Sequence, residues 1–237
     1  MRTLSLTFFA AAAITAGFGQ VATAADMPIK APRMPVAIAY NWSGFYLGGN
    51  AGYGWGRSSW TDDPTLTGAG LGSHGLNGAL LGGTIGANLQ VAAWLVGIEA
   101  DMAWASMKGS HVDQFGSDLN TKTNSLGTAA VRLGYAFDLS LLYMKIGATW
   151  GNFKYDDFVS PGGALNGSGS ATRAGWMIGG GWEYAFAANW SGKLEYNYLD
   201  FGSKIISFNG GLGGAFVQNI NERFHVVKAG LNYRFSP

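Results

Sequence analysis

Apolar residues alternate with small or polar residues along most of this chain, in eight segments separated by turn-forming residues. In the first segment Phe45, Leu47, Tyr53 and Trp55 share one parity, whereas the other parity carries mainly glycine and asparagine. A period of two is typical of a β-strand, because successive side chains point to opposite faces. The alternation recurs at residues 79–89, 94–104, 128–137, 142–150, 173–186, 193–198 and 227–235. We therefore predict an all-β protein with eight strands.

Charged residues keep to one parity of these segments. Ten lie within them, all on the side of the small and polar residues: Glu99, Asp101, Arg132, Lys145, Arg173, Glu183, Lys193, Glu195, Lys228 and Arg234. This face would meet water in a soluble barrel or sandwich, but it would face the lumen in a membrane barrel. Alternation alone does not distinguish the two. Because buried charges must be paired, the membrane alternative predicts that these ten side chains form a structural ion-pair network.

The lengths of the connections favour the membrane alternative. Long connections at 57–75, 106–122, 154–170 and 202–221 alternate with short ones at 90–93, 138–141 and 187–189. Outer-membrane barrels have short periplasmic turns and longer extracellular loops. Consecutive hairpins of this kind form an up-and-down barrel, and an even number of strands places both termini on the periplasmic side. We predict an eight-stranded antiparallel up-and-down transmembrane β-barrel.

The N-terminus has the layout of a secretory signal. Arg2 supplies the positive start, residues 4–18 form the apolar stretch, and residues 22–24 have small side chains at both ends. We place cleavage after Ala24, with Ala25 nearly as suitable. The predicted domains are then a signal peptide at 1–24, a proline-rich periplasmic linker at 25–41 and the barrel at 42–237. No later stretch approaches 18 consecutive apolar residues, so we expect no transmembrane helix.

Composition agrees with a membrane barrel and excludes several functions. Charged residues make up 12% of the chain and aromatic residues 14%, as suits membrane strands with interfacial aromatic girdles. The net charge of +1 gives no electrostatic reason to expect a nucleic-acid partner. The absence of cysteine excludes disulfides, thiolate metal sites, a cysteine nucleophile and a lipoprotein anchor.

Six segments carry a further signal: 41–55 (NWSGFYLGGNAGYGW), 97–101 (GIEAD), 132–137 (RLGYAF), 181–186 (GWEYAF), 190–196 (WSGKLEY) and 231–235 (LNYRF). Together they resemble the OmpA-like eight-stranded surface barrels of Gram-negative bacteria, known as outer-membrane immunogenic proteins or the small porin family. The resemblance covers the mature chain apart from the long connections. It implies an outer-membrane location, insertion by the barrel-assembly machinery and surface exposure. Such barrels often end on a phenylalanine, whereas Phe235 is followed by Ser236 and Pro237.

Few residues suggest chemistry. Glu99 and Asp101 share a face, as do Lys193 and Glu195, but the cations on the same parity favour ion pairs over catalytic carboxylates. The glycine-rich runs at 52–56 and 179–181 do not open a helix after a strand, so we interpret them as strand glycines. We therefore expect no catalytic residues, no metal site and no resident cofactor.

The three histidines offer one alternative. His74 and His111 fall in the first two predicted loops, and His225 falls near the start of the last strand. Some members of the resembling family bind haemin, and imidazole ligates haem iron. No ligand spacing supports haem here, so we expect solvated loop histidines.

The sequence leaves two hypotheses about function. The leading one is a structural and surface-interaction barrel that supports envelope integrity, contacts outer-membrane lipid and displays its extracellular loops to host or environmental ligands. The alternative is a small porin-like or haemin-binding uptake protein. An outer-membrane enzyme is the third class, and no convergent catalytic set supports it.

Overall fold

The computed structural model describes residues 40–62, 68–159, 163–212 and 214–235. They contain eight strands: β1 (Gly44–Thr61), β2 (Gly70–Val91), β3 (Trp94–Val112), β4 (Ser117–Phe137), β5 (Ser140–Val159), β6 (Leu165–Ala185), β7 (Trp190–Phe208) and β8 (Phe216–Arg234). Neighbours in sequence pair antiparallel, and β8 pairs with β1, so the sheet closes. The predicted eight-stranded up-and-down barrel is confirmed. The predicted signal peptide, its cleavage site and residues 25–39 of the predicted linker lie outside the described residues.

The register fixes the width of the barrel. A path along the hydrogen bonds visits Phe45, Ala87, Ile98, Val131, Ile146, Ile178, Tyr198, His225 and Trp55 in turn. The path returns to β1 ten residues beyond its start, at Trp55 instead of Phe45. Eight strands with this stagger tilt by about 35–45° and leave an interior that side chains can fill.

The apolar parity of each strand points away from the lumen. Phe45 is 70% exposed on the outer face, while the next residue, Tyr46, is 1% exposed and points inward. Outward aromatic residues gather at two levels. We call them the turn-end girdle (Phe45, Trp94, Tyr135, Tyr184, Trp190 and Tyr233) and the loop-end girdle (Trp55, Trp104, Trp150, Trp176, Tyr196 and Tyr198). Among the described residues, no outward side chain between the girdles carries a permanent charge. The outer face therefore suits hydrocarbon.

The two ends of the barrel differ. The turn end, named for its tight connections, joins strands at residues 92–93, 138–139 and 186–189. The loop end joins them at 62–69, 113–116, 160–164 and 209–215. The long connections predicted from the sequence were wrong in extent, because strand pairing continues far into them. Arg57 pairs with Gly75, for example, although both were assigned to one loop.

Polarity reverses beyond the loop-end girdle, which explains this error. There the inward residues are apolar, such as Trp60 and Leu119, and the outward residues are polar, such as Lys122 and Asn124. This is the alternation of a barrel surrounded by water, and it is opposite in phase to the alternation between the girdles. Counted from the last girdle residue of each strand that has one, the strands thus extend six to eleven residues further. No helix long and apolar enough to cross a membrane occurs in the described parts of the chain.

Candidate functional site: the filled lumen

Nine of the ten predicted lumen charges meet in one layer between the two girdles: Glu99, Asp101, Arg132, Lys145, Glu183, Lys193, Glu195, Lys228 and Arg234. We call this set the ionic layer. It combines four carboxylates with five cations, and every member is buried. The members occupy inward positions of β3 to β8, where the two-residue period points them all into the lumen.

Glu99 lies at the centre of the ionic layer. Its carboxylate lies 2.7 Å from the ammonium of Lys145 and 3.2 Å from both Arg132 and Lys193. The Tyr46 hydroxyl donates a further hydrogen bond to it at 2.8 Å. These four partners come from β5, β4, β7 and β1, so one carboxylate of β3 holds together strands from around the whole barrel.

Glu195 and Asp101 continue the layer toward the loop end. Lys145 lies 2.6 Å from Glu195. Lys228 lies 2.9 Å from Asp101 and 3.5 Å from Glu195, and so connects the two carboxylates. The Asn50 amide donates to Asp101 at 2.6 Å. Each carboxylate is therefore held by cations and by neutral donors.

Arg132 links Glu99 to the turn end. Its second terminal nitrogen lies 2.9 Å from Glu183, and its guanidinium carbon lies 3.8 Å from the centroid of the Tyr143 ring. Ser191 and Asn232 also donate to Glu183, at 2.6 and 2.8 Å. Removal of one partner from a buried ion pair leaves an uncompensated charge and costs about 3–5 kcal/mol. The layer therefore fixes the lumen side chains in one arrangement.

Arg173 is the one predicted member that the structure places elsewhere. It lies beyond the loop-end girdle, where its guanidinium donates to the carbonyls of Gly202 at 2.6 Å and Ile220 at 2.9 Å. The regular pairing of β6 with β7 ends at Trp176 and Asp200, so Arg173 bridges the two strands where their hydrogen bonds stop. The prediction of an ion-pair partner failed because parity indicates the face of a residue but not its height in the barrel.

An apolar layer fills the lumen beyond the ionic layer. Its largest members are Trp60, Phe153, Tyr155, Phe208, Phe224, Leu76 and Met107, all less than 2% exposed. Their rings pack edge-to-face and stacked, with centroids 5.6 Å apart for Trp60 and Tyr155 and 5.9 Å apart for Phe153 and Phe224. This layer occupies the strand extensions, where the inward parity is apolar.

Two histidines are embedded in the apolar layer, which corrects their assignment to solvated loops. His74 and His111 lie on β2 and β3, and their Nδ1 atoms are 2.7 Å apart. The carbonyl of Leu71, 3.0 Å from His111 Nε2, can only accept, so we place the His111 proton on Nε2. His74 then donates through Nδ1, and the Thr121 hydroxyl, 3.1 Å from His74 Nε2, donates back. Burial, aided by the nearby His111, lowers the pKa of His74 to about 4, so the His74 imidazole is neutral at physiological pH.

A buried carboxyl group, Glu222 of β8, lies near the histidines on the water side of the loop-end girdle. The Ser58 hydroxyl donates to its Oε1 at 2.7 Å, and the Trp60 indole donates to Ser58 at 2.7 Å. Its Oε2 has no hydrogen-bond partner among the described residues. Burial raises the pKa of Glu222 to about 8, against smaller opposing effects of Ser58 and Arg173. Parity did not identify Glu222, because residue 222 lies between the predicted connection at 202–221 and the predicted strand segment at 227–235.

A third layer closes the turn end. Trp42, just before β1, is fully buried across the lumen, and the guanidinium carbon of Arg234 lies 4.7 Å from its ring centroid. Arg234 also donates to the Trp42 carbonyl, and the backbone N–H of Trp42 donates to the Gln90 side-chain oxygen at 2.7 Å. The Tyr40 hydroxyl donates to the Ala188 carbonyl at 3.0 Å, and this bond holds the segment before β1 against the turn end of the barrel. Tyr40, which falls within the predicted linker, thus contacts this cap.

Little space remains between the layers. A cavity of ≈ 20 Å³ lies where the ionic layer meets the apolar layer, between Asp101, Lys228, Leu80 and Leu126. A buried water needs about 10–15 Å³, so this cavity accommodates a single water molecule. No group of three or more metal-ligating side chains occurs in the described part of the chain.

His225 lies apart from the lumen, at the loop-end girdle. Its ring stacks on Trp55 with centroids 5.7 Å apart, and its Nδ1 lies 2.7 Å from the Tyr196 hydroxyl. It therefore forms part of the outer aromatic surface.

Comparison with known proteins agrees with the resemblance seen in the sequence. The family model for the outer membrane protein beta-barrel domain matches residues 8–235. The 31 kDa outer-membrane immunogenic protein of Brucella melitensis is 33% identical over 242 residues, covering 94% of this chain and 98% of that protein. The 25 kDa outer-membrane immunogenic protein of Brucella abortus is 28% identical, covering 99% and 100%. The crystal structure of OprG from Pseudomonas aeruginosa is similar in fold, with a TM-score of 0.56 at 16% identity over 82% of this chain and 97% of that one.

Proposed function

We propose, since this chain belongs to the family of outer-membrane β-barrel domains, that it is a closed, non-conducting barrel that supports the cell envelope and presents its loop end to partners outside the cell. The protein is a surface protein of the outer membrane, like its immunogenic relatives. In such barrels the longer connections face the exterior. The proposal rests on one observation, the continuous filling of the lumen.

The filling supports a closed barrel because three successive layers occupy the lumen, each held together by a different kind of contact. An ion entering from the turn end would have to displace Trp42, then separate the ion pairs around Glu99, then cross an apolar layer headed by Trp60. A cavity for a single water does not connect these layers into a path. We infer a structural role in preference to the porin-like alternative.

The histidines give little support to haemin capture. In His74 and His111 every ring nitrogen already has a hydrogen-bond partner inside the barrel. His225 has its Nδ1 bonded to Tyr196 at the girdle. An iron ligand would have to break one of these contacts, so we do not favour haem as a ligand.

We also infer that the protein is not an enzyme. The relatives it matches over nearly their whole length are outer-membrane immunogenic proteins. The carboxylates Glu99, Glu183 and Glu195 are each engaged by cations and closed off from solvent. General acid–base catalysis needs a group that can reach a substrate, and these groups cannot.

The loop end is the part of the proposed function that meets partners. Three apolar side chains at its tips, Val112, Phe115 and Leu212, are 58%, 71% and 75% exposed beyond the hydrocarbon zone. Binding residues are concentrated on connections that a rigid scaffold holds in place. We therefore expect host or environmental ligands to bind here. Recognition by the barrel-assembly machinery would use the other end, where β8 finishes with Tyr233 and Phe235 facing outward.

Planar-bilayer recording tests closure. The mature protein, refolded and inserted, should give no conductance steps under voltages at which a general porin inserted alongside conducts. Insertion is verified independently by the shift in gel migration between unheated and heated samples. Reproducible steps from correctly folded protein would overturn the proposal.

A deletion strain tests the roles in the envelope and at the surface separately. Loss of the protein should increase sensitivity to detergent, and both the wild-type chain and a Phe115→Ser/Leu212→Ser variant should restore resistance. The variant should lose recognition of surface ligands, measured by adhesion or pull-down, because only the tips are changed. Unchanged detergent sensitivity in the deletion strain would argue against the structural role, and full adhesion by the variant would argue against the tips.

A further inference from the structure

Three lysines stand side by side on the outer wall of the barrel, in a place where their charges repel. Lys108 of β3 pairs in register with Lys122 of β4, and Lys122 pairs in register with Lys154 of β5. All three are exposed on the outward face. Like charges directly opposite each other on neighbouring strands destabilise a sheet. We call this set the lysine ladder.

The protein itself compensates the ladder only weakly. Among the described residues, the acidic partner of the ladder is Asp156, which lies 3.9 Å from Lys122 at the limit of an ion pair. On the other side of the barrel Arg57 and Arg223 also pair in register, but Arg223 has Asp200 at 3.3 Å. The ladder is therefore the larger uncompensated group of cations on the described outer wall.

The height of the ladder places it among lipid headgroups. Lys108 lies four residues beyond the girdle residue Trp104, and Lys154 lies four residues beyond Trp150. Four residues span about 13 Å along a strand, or about 10 Å along the membrane normal for a tilted one. The headgroup region begins at the girdle, and lysine side chains can bend back toward it.

A polar groove lies between the ladder and the girdle. It has a volume of ≈ 430 Å³ and is lined by Asn124, Asn152, Lys154, Ser170 and Thr172, among others. Asn152 donates to Ser125 at 2.8 Å and accepts from Thr172 at 2.7 Å, so the lining side chains are held in place. Amides and hydroxyls of this kind suit the hydroxyl groups of a sugar.

We propose that the lysine ladder and this groove bind the phosphorylated sugar headgroup of a glycolipid in the outer leaflet. Adjacent strands are about 4.8 Å apart, so the three ammonium groups extend over about 10 Å of the wall. This length allows them to contact more than one phosphate group. Phosphate oxygens accept charge-assisted hydrogen bonds from lysine. The bound anion removes the repulsion that the bare ladder carries. The turn end of the described barrel has no comparable outward cations, as expected when only one leaflet holds this lipid.

Thermal unfolding in defined vesicles tests this proposal. The mature protein is refolded in phosphatidylcholine vesicles with or without a bisphosphorylated lipid A, and the unfolding temperature is followed by heat-dependent gel migration. We expect lipid A to raise the unfolding temperature by about 5 °C or more. Dephosphorylated lipid A should give no such rise.

Matched variants localise the effect. Lys122→Gln/Lys154→Gln removes two opposed cations of the ladder, and Arg57→Gln/Arg223→Gln removes two opposed cations on the other side. The rise should disappear in the first variant and persist in the second. Without lipid A the first variant should be at least as stable as the wild type, because a repulsion has been removed. If the double variant does not fold, the single variant Lys122→Gln takes its place. We expect it to lose part of the rise in unfolding temperature that lipid A produces.

Three results would overturn the proposal. An equal loss in both double variants would indicate a general charge effect. An equal rise with dephosphorylated lipid A would exclude phosphate as the ligand. A rise produced by inorganic phosphate alone would indicate an unspecific anion site. Closure of the lumen is measured separately by conductance, so these outcomes leave the proposed function unaffected.

Discussion

At the scale of single residues, the lumen depends on where each polar group finds its partner. Glu99 has three cations within 3.2 Å. Glu222 accepts a hydrogen bond from the neutral Ser58 hydroxyl, and its other oxygen has no hydrogen-bond partner among the described residues. Both glutamates are buried, but the first is stabilised as a carboxylate and the second as a neutral acid. Parity in the sequence identified Glu99 as a lumen charge. It missed Glu222, whose environment depends on apolar residues from other strands.

Glu222 should make stability depend on pH. Its pKa in the folded protein is about 8, above the ordinary 4.5, so the folded state keeps a proton that the unfolded state loses. Stability from this group is complete below pH 4.5 and falls by about 1.4 kcal/mol per pH unit as the pH rises toward 8. Glu222→Gln should remove this dependence. The free energy of unfolding of the variant should therefore increase relative to that of the wild type as the pH rises from 5 to 8. Urea unfolding in lipid vesicles measures it, and a constant difference between the two proteins would contradict the assignment.

At the scale of the strand, each element contains two alternations of opposite phase. β3 presents Ile98 and Ala100 outward between the girdles, but beyond Trp104 it presents Ser106 and Lys108 outward. A register shift between Trp104 and Met107 lies at the change of phase. The hydrophobic period therefore predicted the membrane part of each strand correctly. It could not predict the extension, because apolar residues there face inward.

This change of phase predicts opposite tolerance to charge along one face of β3. Ala100→Arg places a cation on the outer face between the two girdles and should cost about 2–4 kcal/mol of folding free energy. Ser106→Arg, on the same face beyond the girdle, should cost about 0–1 kcal/mol. Urea titrations of the two variants in phospholipid vesicles provide the comparison. Equal costs would mean that the outer wall between the girdles does not contact hydrocarbon.

At the scale of the whole molecule, the proposed closure rests on three layers that lie at different heights along the same strands. The cap uses Trp42, the ionic layer centres on Glu99, and the apolar layer contains Trp60. Each layer combines side chains from several strands. Loss of one layer should therefore weaken the fold without opening a channel.

Trp42→Ala tests this independence. Removal of a fully buried tryptophan should cost about 3–5 kcal/mol, and the ionic and apolar layers should keep the barrel non-conducting. Trp94→Ala, which removes an outward tryptophan of the same end, serves as the control and should cost less because it leaves no lumen cavity. Denaturant unfolding and bilayer recording are performed on the same samples. Ion conductance by Trp42→Ala would show that the cap alone closes the barrel.

The sequence by itself determined the strand number, the closed antiparallel order and the inward face of the ten charges, because a two-residue period and the avoidance of charge by lipid are local properties of the chain. The tertiary structure decided which charges meet. Arg173 and Glu183 share a strand and a parity, yet only Glu183 reaches the ionic layer, because height in a tilted barrel depends on the stagger of all eight strands. The same stagger brings His74 to His111 and aligns Lys108, Lys122 and Lys154. Contacts between distant segments follow from register, and register is set only when the sheet closes.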